Sequence, residues 1–119
     1  MIRIELVLDS GGALVSASAQ GHAHHGSPGT DIVCAAVSVL MRTTMACLED
    51  GGVRLRVETA GRGTLSMTVV ACRQADYPLL RYTAHFLQRG IGALAREYPE
   101  SVGVHEKIVE NSSIEVLED

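Results

Sequence analysis

Most of the side chains able to do chemistry are crowded between Gly21 and Cys34. His22, His24 and His25 are three of the five histidines in the chain, and they stand in the stretch GHAHHGSPG. With three glycines, a proline and no hydrophobic period, that stretch reads as a loop. Thr30-Asp31 follows, a pair suited to capping a helix, and Ile32 to Leu48 then runs without Gly or Pro. With Asp31 as the cap, Cys34 becomes the third helical residue, close to unsatisfied backbone N–H groups and the positive end of the helix dipole. A sulfur in that setting is favoured as a nucleophile at neutral pH. The same N–H groups would receive the oxyanion of a tetrahedral intermediate. A loop histidine would take the thiol proton and return it to a leaving amine. The chemistry implied is acyl transfer, against the plain alternative that Cys34 packs as a small apolar side chain.

The neighbouring residues carry two readings each. Asp31 either caps the helix or orients His22, and a carboxylate close to the sulfur would also oppose formation of the thiolate. Ser38 lies one turn beyond Cys34 on the same face and either supports the site or bonds to a carbonyl four residues back. His24 and His25 either contact substrate or are simply solvated. Together with His22 and Cys34 they form a conceivable zinc set, yet the spacing fits no structural zinc pattern. Cys47, thirteen positions along the same helix, is too distant for a disulfide with Cys34. Cys72 ends a strand and reads as structural. His85 and His105 have no evident partner, and Arg54, Arg56 and Arg62 read as a solvated strand face.

These residues must be positioned by one domain, since 119 residues support a single modest core. Charged residues at 20% and hydrophobic residues at 46% argue against disorder. An aromatic share of 3% and a net charge of -4 argue against base-stacking platforms and sequence-independent binding of nucleic acid. The N-terminal residues alternate instead of forming a leader, and the longest apolar block, Ile32 to Met41, is interrupted by Ser38, so no membrane span is expected. The expectation is a cytoplasmic chain with reduced thiols.

Ile2, Ile4, Leu6 and Leu8 alternate with Arg3 and Glu5 as a half-buried strand. Asp9-Ser10-Gly11-Gly12 turns the chain into a return strand, with Leu14, Ser16 and Ser18 on one face. The helix from Ile32 is apolar nearly all round and is stopped by Gly51-Gly52. A second hairpin spans residues 53 to 71, with Val53, Leu55 and Val57 inward and Gly61-Arg62-Gly63 at the turn. Asp76-Tyr77-Pro78 opens a second helix that reaches about Tyr98, its apolar positions including Tyr82 and Phe86. The tail from Val102 offers β-prone pieces. The fold class predicted is α+β: a two-layer ββαββα domain, residues 1–119, with an antiparallel sheet and a possible short C-terminal edge strand. The near-uniform apolarity of the first helix calls for a sheet on one side and a partner subunit on the other, hence a homodimer.

Gly21-His22-Ala23, followed by Gly29-x-Asp31-Ile32-Val33-Cys34-Ala35-Ala36-Val37-Ser38, resembles the signature of the bacterial ribosomal-processing cysteine protease family, Prp. The resemblance extends over nearly the whole chain in element order and in the Gly-Gly and Asp-Tyr-Pro positions. It implies a cysteine endopeptidase that removes an N-terminal extension from a large-subunit ribosomal protein, bacterial protein twenty-seven. It implies Cys34 as nucleophile, His22 as general base and Asp31 as the acidic position before the nucleophile. Gly21, Ala23 and Ser38 stand as supporting or substrate-contacting positions. It further implies a homodimer; no cofactor, metal, direct nucleic-acid partner or membrane is expected. Pro28 and the His24-His25 pair depart from the family's usual loop. The alternatives are a non-catalytic ribosome-assembly factor or a metal-binding module on the same scaffold.

Overall fold

The computed structural model describes residues 1–21, 28–59, 61, 63–110 and 113–118, with the backbone alone described for 28–31. Strands β1 (Ile2–Asp9) and β2 (Leu14–Gln20) form the first hairpin, and helix α1 covers Pro28–Asp50. Strands β3 (Arg54–Glu58) and β4 (Thr64–Arg73) form the second hairpin. A 3-10 turn (Gln74–Asp76) leads into helix α2 (Tyr77–Glu97), followed by β5 (Val102–Val109) and β6 (Glu115–Leu117). The sheet order is β3-β4-β2-β1-β5, with β6 joined to β4.

The predicted class and element order are present, and the C-terminal edge strand is longer than expected. Its pairing differs too: β5 runs parallel to β1 along its whole length, and β6 runs parallel to β4 at Ala71–Arg73. The sheet is therefore mixed rather than antiparallel throughout, because α2 carries the chain back across the sheet before β5.

Both helices pack on one face of the sheet in a single core that includes Ile4, Leu6, Leu14, Met67, Val33, Met41, Leu80 and Ile91. The other face is polar, with Arg3, Glu5, Ser16 and Ser18 in register with Ser66 and Thr68. A register shift at Val7/Leu8 changes the phase of β2, so Ala17 and Ala19 are buried beside Leu14 while Ser16 and Ser18 turn outward. A second shift, at Arg54/Leu55, places β3 loosely at the edge: Val53 is buried, Leu55 half-buried and Val57 exposed.

Helix α1 begins at Pro28, not at Ile32, since proline is pre-set for the first helical position and loses no needed N–H there. Its stop is as expected. Gly52, at φ +89°, donates to the Glu49 carbonyl while Val53 N–H donates to Leu48 O at 3.0 Å, a Schellman ending. From Ile32 to Asp50 the mean hydropathy is 1.6, so contrary to expectation α1 is long and apolar enough to pass for a membrane span. Its stripe Val33, Val37, Met41, Met45 and Leu48 is spent instead on the core.

Helix α2 is buried through Leu80, Thr83, Ala84, Leu87 and Ile91. Tyr82, expected on the packed face, is 71% exposed, and Phe86 is exposed as well.

Candidate active site

Cys34 is a free thiol, half-buried, and touches the margin of the core without being sealed in it. It stands beside the buried stripe of α1, whose centre runs through Val33, Val37 and Met41. At 3.6 residues per turn, positions 31, 34 and 38 fall on one flank of that stripe, and Ala36 and Leu40 on the other. Helix α2 packs on the Leu40 flank: a Cβ added at Gly90 would meet the Leu40 side chain at 3.1 Å. The Cys34 flank therefore faces away from α2, toward the β3 edge of the sheet, since α2 lies with β1, β2 and β5.

The start of α1 at Pro28 revises the predicted electrostatics. Asp31 is the fourth helical residue and not the N-cap, and Cys34 is the seventh, in the second turn. With Pro28, which carries no N–H, at the first helical position, the unsatisfied N–H groups end within the first turn, so the amide of Cys34 is not among them. Ser38 is half-buried, and its hydroxyl makes no hydrogen bond among the described residues. Thr44 and Thr83 do bond back to carbonyls, Thr44 Oγ1 donating to Leu40 O at 2.8 Å and Thr83 Oγ1 to Leu79 O at 3.0 Å. The back-bonding alternative for Ser38 thus falls away, and its hydroxyl stays available on the flank of the thiol.

His22, Ala23, His24 and His25 lie outside the described residues, as does the side chain of Asp31. Gly21, which leads into them, is held from two sides. Its N–H donates to the Gly63 carbonyl at 2.9 Å, and its φ of +117° is a conformation that side chains strain to adopt. A Cβ at this position would also run into the carbonyl oxygen of Met1. Gly21 thus fixes the chain immediately before position 22 at a point beside the β3–β4 turn. This anchoring role of Gly63 and Met1 was not foreseen from the sequence; the only hint of it is the glycine pair of the Gly61-Arg62-Gly63 turn.

Among the described residues no group of three or more His, Cys, Asp or Glu side chains is placed to hold a metal ion. The other buried titratable cluster, at the opposite end of the sheet, is structural. The Asp76 carboxylate does not cap α2 but turns back to accept from the Arg73 backbone N–H at 2.8 Å and the guanidinium at 2.7 Å. These bonds hold it below the usual carboxylate range. Burial and the neighbouring Asp76 carboxylate push the Cys72 thiol up, against a bond from Tyr77. That keeps Cys72 protonated and inert.

A family model described as Cysteine protease Prp matches residues 1–103. The fold is shared with the crystal structure of SMU.848 from Streptococcus mutans, at 28% identity and a TM-score of 0.75, covering 92% of this chain and 96% of that one. It is also shared with an essential ribosomal processing protease Prp from Staphylococcus aureus in complex with a substrate peptide. The identity there is 19% and the TM-score 0.75, with 90% of this chain and 100% of that chain covered. The S. aureus protein with a covalently linked product peptide matches equally, at 20% identity, a TM-score of 0.75, and 90% and 100% coverage. No protein of curated function matches the sequence. The family model covers most of the chain, and the class it marks is the thiol proteases. The chain belongs to the Prp family of cysteine proteases.

Proposed function

We propose that this protein is a cytoplasmic cysteine endopeptidase that removes the N-terminal extension of a large-subunit ribosomal protein, bacterial protein twenty-seven, using Cys34 as nucleophile and His22 as general base. The observation that carries this reading is the setting of Cys34 within the family's motif: a free thiol, half-buried, beside an unengaged Ser38, with Gly21 anchored at the β3–β4 turn one residue before His22. His22 takes the thiol proton, and the sulfur attacks the peptide carbonyl carbon. The amine leaves with the proton from His22, and water attacks the thioester to free the enzyme. Asp31, on the same flank as Cys34, orients His22, a role left to it once the cap lies elsewhere. Ser38 supports the substrate backbone beside the sulfur.

The enzyme acts as a homodimer. The α1–α2 side leaves a groove of about 500 Å³ lined by Ala35, Ala36, Val39, Leu40, Gly90 and Leu94, among others. Ile32 and Val39 are each 63% exposed beside it, an apolar surface that a second copy would cover.

The test is incubation with the host's own ribosomal protein precursor, with product masses measured. Wild type yields a shortened protein and a released peptide, whereas Cys34→Ala yields neither and keeps the circular dichroism and melting profile of wild type. Full cleavage by Cys34→Ala would end the proposal.

A further inference from the structure

The flank of α1 that carries Cys34 looks onto an unfinished edge of the sheet. Among the described residues β3 pairs only with β4, so the outer N–H and C=O groups of Arg54–Glu58 have no strand partner. On the helix side of this edge Leu55 is half-buried, and Val57, in register with the buried Met67, is 43% exposed. The sheet order puts the Cys34 and Ser38 flank of α1 on the same side as this edge, as a wall to a trough whose floor would be Leu55 and Val57. Gly21, the fixed start of the segment bearing His22, opens beside the same hairpin through its bond to Gly63.

From this juxtaposition we infer that the substrate is bound as an added β-strand on the free edge of β3, with its backbone running along the Cys34 flank of α1. The inference rests on the proteolytic reading above and specifies how that site takes its peptide. An extended chain is the occupant this place suits: an unpaired strand edge supplies main-chain hydrogen bonds, and alternate side chains point to opposite faces. Every second side chain of the peptide enters the trough against Val57 and Leu55 and is apolar. The intervening ones stand on the solvent face beside Arg56, whose guanidinium is already paired with Glu58 at 3.5 Å. Specificity thus lies in a period of two around the scissile bond. The other free edge, β5, has no such wall, because Cys34 lies on the flank of α1 turned away from α2 and β5.

The experiment uses peptides spanning the cleavage site of the ribosomal protein precursor, with single backbone N-methyl groups placed in turn along them. Each methyl group that removes a strand hydrogen bond lowers kcat/KM by about tenfold, so the losses alternate along the peptide. Val57→Asp raises KM about tenfold with kcat nearly kept, while Ile108→Asp, 61% exposed on β5, changes neither. With Cys34→Ala and unmodified peptide, amide resonances of residues 54–58 shift and gain exchange protection. A precursor left intact by wild type overturns both this inference and the proteolytic reading. Cleavage with a flat N-methyl series and unmoved β3 amides overturns edge binding alone.

Discussion

Replacing Gly21 by alanine would force a side chain into φ +117° and against the Met1 carbonyl. The expected cost is about 1–3 kcal/mol, read as a lowered melting temperature. Because His22 follows directly, kcat/KM should fall further than stability alone explains. A variant that melts lower yet cleaves at the wild-type rate per folded molecule would separate Gly21 from the site. At position 31 the start of α1 at Pro28 sets the expectation. Asp31→Asn removes a first-turn charge worth about 0.3–1 kcal/mol at most, while the rate falls by about tenfold or more if the carboxylate orients His22. The measurement is kcat/KM beside a thermal melt.

At the scale of elements, the junction of β4 and α2 is held by Asp76 and Arg73. The folded-state pKa of Asp76 is lowered, so its stabilisation is fully present above the unfolded carboxylate value of about 3.9 and is lost as pH falls toward the folded value. Asp76→Asn should therefore be less stable than wild type by about 1–3 kcal/mol at neutral pH. The gap should close below about pH 4, as urea melts across pH would show. In the same junction Cys72, buried under Tyr77, should resist iodoacetamide in the native protein while Cys34 reacts. The Schellman end of α1 and the proline-led start of α2 were legible because Gly-Gly and Asp-Tyr-Pro are local signals. The start of α1 was not, since Thr30-Asp31 and Pro28 both signal an N-terminus and sequence gives no means to rank them.

At the scale of the molecule, the layers and element order could be read from alternation and helical spacing, whereas the sheet pairing could not. Parallel contact between β1 and β5 depends on how α2 crosses the sheet, which no local pattern encodes. Tyr82 and Phe86 repeat at helical spacing but lie on the side of α2 turned away from the Leu80, Ala84, Leu87 and Ile91 stripe, so spacing read without phase misplaced them. Cys34, by contrast, was found through its motif and its place after a glycine-rich segment, although the first-turn electrostatics assigned to it belonged to a different helix start. The exposed apolar surface of α1 gives a further expectation. Val39→Glu, in the α1–α2 groove, should convert a dimer to monomers in sedimentation equilibrium, while Val116→Glu at the far end of the sheet should not.

The embrace of β1 by β5 sets the order in which the protein can be made. Strand β1, made before the rest of this sheet, lies inside it and lacks one neighbour until Val102–Val109 has been synthesised. Until then Ile2 to Leu8 are satisfied on the β2 side only, and native structure closes only once Val102–Val109 is in place. A ribosome stalled before Val102 would hold a chain still open to pairing with a neighbour's strand.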